Sequence, residues 1–176
     1  MIFNEAGLPG AYIIEPEPAE DQRGYFARTF CRREFAARGL NSDVAQCSVS
    51  FNVRKGTLRG MHYQAEPHGE VKLVHCVRGA IYDVIIDLRP GSESYCRWVG
   101  VELSALNGRQ LYVPEGFAHG FVTLEDDTLV CYRMSAFYAP EYARGVRWND
   151  PAFAIKWPLS DPIISDKDRL LPDYRR

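Results

Sequence analysis

The chain has 176 residues, 46% of them hydrophobic, and a net charge of -2 at pH 7. That length suits one domain over residues 1–176 with a sizeable core. The apolar content excludes a disordered chain, and the charge balance leaves no electrostatic footprint for nucleic acid.

The five cysteines (Cys31, Cys47, Cys76, Cys96, Cys131) are odd in number, lack a CxxC pair and mostly sit inside apolar runs, so they read as reduced, mostly buried thiols. No basic segment followed by an apolar one opens the chain, and no apolar run approaches the ~20 residues of a membrane helix. A cytoplasmic protein without a membrane partner is expected.

In chain order, Ala11–Glu15 is a short strand stopped by Pro16 and Pro18, and a loop through Glu20, Asp21 and Gln22 leads to a second strand over Tyr25–Phe30. Arg32–Arg38 carries helix formers and ends at Gly39, which predicts one or two turns. From Val44 the pattern turns to β. Strands are expected over Val44–Asn52, Thr57–Gln64, Val71–Val77, Ala80–Leu88, Arg97–Leu103, Arg109–Val113, His119–Thr123 and Thr128–Met134, with turn residues such as Arg78-Gly79, Pro90-Gly91 and Asn107-Gly108 between them. Strands so numerous and evenly spaced argue for a sandwich or barrel. After Met134 the composition shifts to aromatic, proline and charged residues, with no linker or repeat. Ser165 reads as the N-cap of a tail helix with Asp168 at its third position, and the tail is expected to fold back on the β-domain.

The chemistry gathers in Thr57–Gln64 and Val71–Cys76, which flank Pro67-His68-Gly69-Glu70, a turn between neighbouring strands. That turn would bring Arg59, His62 and Lys72 onto one patch. A histidine moves protons near neutral pH, and two cations can hold an anion or stabilise one as it forms. The patch suits proton abstraction beside a carbonyl. Residue parity sets Arg59 and His62 on opposite faces of a regular strand, unless Gly60 hosts a bulge that re-aims them. Along Ile81–Leu88, Asp83 and Asp87 share a face with Ile81 and Ile85, so an inward acid needs a cation, either Lys72 or an arginine.

Other segments carry the same kind of residue: Pro114-Glu115-Gly116-Phe117-Ala118-His119-Gly120-Phe121 places a histidine beyond a tight turn, and Tyr132 lies on a late strand. Together with Asp21-Gln22-Arg23-Gly24-Tyr25-Phe26, Leu58-Arg59-Gly60-Met61-His62-Tyr63-Gln64, Lys72-Leu73-Val74, Gly79-Ala80-Ile81-Tyr82-Asp83-Val84, Phe137-Tyr138 and Trp148-Asn149-Asp150, they make the chain resemble the dTDP-4-dehydrorhamnose 3,5-epimerase family of nucleotide-sugar epimerases over nearly its whole length. The resemblance implies an all-β, cupin-like jelly roll with short peripheral helices, a homodimer, a dTDP-linked 4-keto sugar as substrate and no metal or other cofactor. It implies His62 as the base, Asp168 as its partner, Tyr132 as the proton donor and Lys72 as the cation that stabilises the enolate. Arg23, Arg59, His119 and Lys167 would contact the nucleotide sugar, and Tyr138 would stack on the base.

The chain also departs from the family pattern. Arg28 stands where the rhamnose enzymes carry a glutamate, Gln46-Cys47-Ser48 replaces Gln-Asp-Asn, and Ala143 aligns with a glutamate that helps bind substrate, although Glu141 is close. Gln46 and Ser48 remain candidate substrate contacts. These changes keep open inversion of C3 or C5 alone, on a different nucleotide-linked 4-keto sugar. Two readings of another class compete: a metal-dependent cupin using His62 and His119, although such sites want about three protein ligands, and a catalytically silent nucleotide-sugar binding protein.

Overall fold

The computed structural model, which describes residues 1–175, has fourteen strands, and the longer ones put at least one face against a core. In chain order they are β1 (Ile2–Glu5), β2 (Tyr12–Glu15), β3 (Ala19–Asp21), β4 (Gly24–Phe26), helix α1 (Arg32–Ala36), β5 (Gln46–Asn52), β6 (Thr57–Gln64), β7 (Lys72–Arg78), β8 (Ala80–Asp87), β9 (Trp98–Ser104), β10 (Gln110–Val113), β11 (Phe117–Thr123), β12 (Thr128–Met134), a 3-10 turn (Pro140–Tyr142), β13 (Ala143–Gly145), β14 (Ile163–Ile164) and helix α2 (Asp166–Arg169). One six-stranded sheet runs β1-β2-β10-β7-β12-β5. The second runs β13-β6-β11-β8-β9, with β14 added parallel to β6, and β3 and β4 form a separate hairpin. The chain changes sheet at β5–β6, β6–β7, β7–β8, β9–β10, β10–β11, β11–β12 and β12–β13, which is the jelly-roll pattern.

The loop Ala65–Val71 therefore does not join neighbouring strands. It spans from one sheet to the other, and its seven residues are ample for a gap of about 10 Å. Arg59 and His62 on β6 meet Lys72 on β7 across the barrel instead of along one sheet.

Three apolar layers hold the sheets in place. Between them lie Val74, Cys76, Ile81, Ile85, Phe121 and Val130. The other face of β8, with Val84 and Ile86, packs under Phe153, Ile155, Trp157 and Tyr174, so β8 is buried on both sides. On the outer face of the first sheet, Ile14, Leu73 and Tyr112 are covered by Phe35 of α1 with Phe3 and Phe30. Beyond that cover, Val49, Phe51 and Val77 are exposed on the same sheet.

Local signals missed short pieces. β1, β3, β13 and β14 have two to four residues and no alternation long enough to read, and the strand expected over Tyr25–Phe30 ends at Phe26. Of the cysteines, all free, only Cys76 is buried; Cys47 is exposed and the other three are half-buried, so burial was overestimated from the apolar runs around them.

Candidate active site

The site begins with an irregularity in β6. His62 pairs with His119 and Arg59 with Phe121, so Gly60 and Met61 together stand opposite Gly120 alone. This bulge shifts the side-chain phase by one residue, and Arg59 and His62 line the same cavity despite their odd spacing. Glycine is required here on two counts: Gly60 has φ of +137°, and a Cβ on it would lie 2.5 Å from the Gly120 Cα.

Asp168 reaches the cavity from α2. Ser165 caps that turn, its hydroxyl accepting from the Asp168 N–H at 3.2 Å. The Asp168 carboxylate meets His62 Nε2 at 2.8 Å and accepts from the Gly60 N–H at 3.3 Å. Burial opposes its ionisation, but the His62 ring and the Gly60 N–H outweigh burial and hold the carboxyl below its usual range. A carboxylate on Nε2 selects the tautomer with the proton there, which leaves Nδ1 as the free base of the ring.

A second histidine–carboxylate pair lies beside the first. His119 Nε2 and Asp83 Oδ1 are 2.7 Å apart, and Asp83 is fully buried. The inward acid thus takes His119 as its direct partner; Lys72 acts on it only as a more distant charge. Burial pushes the Asp83 carboxyl up, partly offset by His119. Asp87 finds an arginine, Arg89, at 2.8 Å.

Tyr132 comes from β12, in the sheet opposite β6, and its ring meets that of His119 edge-on at 6.2 Å. Burial, reinforced by the Asp83 charge, drives its phenol well above the ordinary tyrosine value, so the hydroxyl keeps its proton. Lys72 Nζ lies 3.4 Å from the His62 carbonyl oxygen and 3.2 Å from Glu70 Oε1. Arg59 is fixed by Nε donating to Asn52 Oδ1 at 2.8 Å. These groups, with Lys167, line a cavity of about 350 Å³.

A second cavity of about 400 Å³ shares His62, Lys72 and Lys167 and runs on to Tyr138 and Arg144. The segment carrying Tyr138 is pinned by two glutamines: the Tyr138 N–H donates to Gln46 Oε1 at 2.6 Å, and Gln64 accepts from the Ala139 N–H and donates to the Phe137 carbonyl.

Of the residues singled out in the sequence, His62, Lys72, Tyr132, Asp168, Arg59, His119 and Lys167 converge on the first cavity, and Tyr138 stands at the far end of the second. Gln46 touches the Tyr138 backbone. Ser48 is exposed on the edge strand β5 and lines a shallow cavity with Cys47, His75 and Arg133. Arg23 lies on the β3–β4 hairpin, 89% exposed and paired with Asp21, outside both cavities of its own chain. Asn52, Glu70 and Arg144 escaped the sequence reading because each is an ordinary polar residue, and only the fold brings Asn52 to Arg59 and sets Glu70 and Arg144 on the wall of the second cavity. Ala143 lines the second cavity, and Arg28 pairs with Glu34 well away from it.

Each histidine is already bonded to its own carboxylate, and among the described residues no group of three or more His, Cys, Asp or Glu side chains is placed to hold a metal ion. The donor set of a metal-dependent cupin is not assembled. No helix among the described residues is long and apolar enough to cross a membrane.

Comparison with known proteins gives this geometry its context. A family model described as dTDP-4-dehydrorhamnose 3,5-epimerase matches residues 5–176. The chain belongs to the dTDP-4-dehydrorhamnose 3,5-epimerase family. The enzyme of that name from Methanothermobacter thermautotrophicus is 48% identical over 171 residues, covering 95% of this chain and 91% of the relative. The crystal structure of the Bacillus anthracis enzyme, with TDP and pyrophosphate bound, superposes with a TM-score of 0.95 at 42% identity over 98% of this chain and 99% of that one. A 3'-monoepimerase from Streptomyces bikiniensis, in complex with dTDP-quinovose, gives 0.89 at 36% identity over 96% and 86%. The fold is accordingly the cupin-like jelly roll of these epimerases, and the chain is an isomerase-class enzyme.

Proposed function

We propose that the enzyme inverts C3 and C5 of a dTDP-linked 4-keto-6-deoxyhexose by removing a proton from one face of the ring and returning one to the other. The observation that carries this reading is the oriented base His62–Asp168 on one sheet facing the proton-bearing Tyr132 on the other across a single cavity. His62 Nδ1 abstracts the proton beside the ketone, and Asp168 holds the imidazole and stabilises its charged form. Electrons move to the C4 oxygen, where the largely buried Lys72 ammonium meets the enolate. Tyr132 then protonates the carbon from the far side. Arg59 and Lys167 are the cations for the diphosphate, His119 contacts the sugar, and Tyr138 at the end of the second cavity stacks on the base.

Arg23 and Ser48 belong to this account through a homodimer. The β3–β4 hairpin carrying Arg23 and the uncovered face of Val49, Phe51 and Val77 support two chains associating through this sheet. Five free cysteines fit a reducing, cytoplasmic setting, and the reaction as written needs no cofactor.

Turnover of dTDP-4-keto-6-deoxyglucose in heavy water tests the reading, since every abstraction and return exchanges a carbon-bound proton for deuterium. Label at both C3 and C5 is expected. Label confined to one carbon would make the chain a monoepimerase, as the Streptomyces bikiniensis relative is by name. His62→Ala should lower turnover by about 100- to 10,000-fold; wild-type rates in that variant would place the base elsewhere. Prior chelation should change nothing, and loss of activity restored by an added metal would revive the metal-dependent alternative.

A further inference from the structure

We propose that Glu70 is a positioning residue that fixes the Lys72 ammonium where the two cavities meet and keeps it from the diphosphate; this rests on the epimerase reading above. Glu70 lies two residues before Lys72, in the loop that leads into β7. Their charged groups are 3.2 Å apart, with the side chains only 12% and 13% exposed. The backbone between them is fixed in both directions, because the Val71 N–H donates to Ser135 Oγ at 2.8 Å and the Ser135 N–H donates to the Val71 carbonyl at 3.0 Å. Glu70 is therefore a fixed anchor rather than a passing loop contact.

Stability alone is a poor reason for such a pair, since removing both charges from water roughly cancels their attraction. The cavity supplies a better one. It holds three cations, Arg59, Lys72 and Lys167, and among the described residues only Lys72 lies within ion-pair distance of a carboxylate. Lys72, Lys167 and Glu70 itself border the second cavity, through which a nucleotide diphosphate would lie. A lysine ammonium is a point charge on a flexible four-carbon stem, and two phosphates would draw a free one away from the C4 oxygen. The Glu70 charge opposes that displacement, leaving Arg59 and Lys167 for the phosphates and Lys72 for the enolate.

The signature is a split between binding and rate. Glu70→Leu should lower kcat by roughly 10- to 100-fold, the scale expected when a catalytic group is misplaced by about 1 Å. Its affinity for dTDP, measured by calorimetry, should rise, since a negative charge has left the cavity and Lys72 is free to reach the diphosphate. Glu70→Gln, nearly isosteric, should move both quantities the same way by less and serves if the leucine variant does not fold. In a Lys72→Ala background the Glu70 substitution should cost almost nothing further. Unchanged kcat in both variants, weakened dTDP binding alongside reduced kcat, or a full additional loss in the Lys72→Ala background would each overturn the assignment. A wild-type protein that incorporates no deuterium would instead overturn the epimerase reading and this one with it.

Discussion

In the proposed reaction Tyr132 is the acid and Asp168 the partner of the base, and single substitutions should separate these roles. Tyr132→Phe removes the acid on the far face but leaves His62 in place, so solvent exchange should continue while inversion at C5 falls. An unchanged ratio of inversion to exchange, read by proton NMR, would show that another group delivers the proton. Asp168→Asn removes the charge that orients the imidazole and should lower kcat by about 100-fold or more. The same residue leaves a mark on stability. Its folded carboxyl sits below the ordinary value because the His62 ring and the Gly60 N–H outweigh burial. The contribution is therefore fully present above the unfolded value of about 4 and is lost as pH falls through the lower folded one. The difference in Tm between wild type and Asp168→Asn should shrink from pH 7 towards pH 3; a gap that stays constant would mean that the carboxyl is not held down.

Among the elements, the β6 bulge does the most for so few atoms. Without the extra residue, a strand of period two would turn either Arg59 or His62 out of the barrel. The glycine in the middle of the motif signalled that possibility, and the facing Gly120 explains why no side chain is tolerated there: its own Cβ would lie 2.6 Å from Met61 Sδ. Gly60→Ala should cost about 2 to 4 kcal/mol, measured by urea unfolding, and reduce activity in the fraction that folds. Activity and stability both near wild type would show that the backbone can absorb the methyl group and that the bulge is not what aims His62. Turn residues and alternation made the long strands readable in the sequence, whereas sheet membership was not: nothing in Pro67-His68-Gly69-Glu70 tells a hairpin turn from a passage between sheets. The tail helix was legible from Ser165, and its docking against His62 was not, because that contact joins residues 106 positions apart.

For the whole molecule, the unresolved economy lies in Arg23. The family resemblance put it with the substrate, yet in its own chain it stands 89% exposed on a hairpin whose six strand residues, the aromatics Tyr25 and Phe26 among them, are all exposed. A hairpin so poor in contacts has little reason to be ordered by its own chain. In the proposed homodimer it would lie against the partner and complete the partner's cavity, which makes the site a property of two chains. Sedimentation velocity should give twice the chain mass, and Val49→Glu with Phe51→Glu should shift the species to monomer and raise KM. Complementation decides whether Arg23 acts across the interface. Arg23→Ala and His62→Ala homodimers are each impaired, but after mixing and subunit exchange the heterodimer contains one cavity with its own His62 and an intact Arg23 from the other chain. Activity of the mixture should therefore rise above the mean of the two parents. If Arg23 served its own chain, every cavity in the mixture would keep one defect, and the activity would stay at that mean.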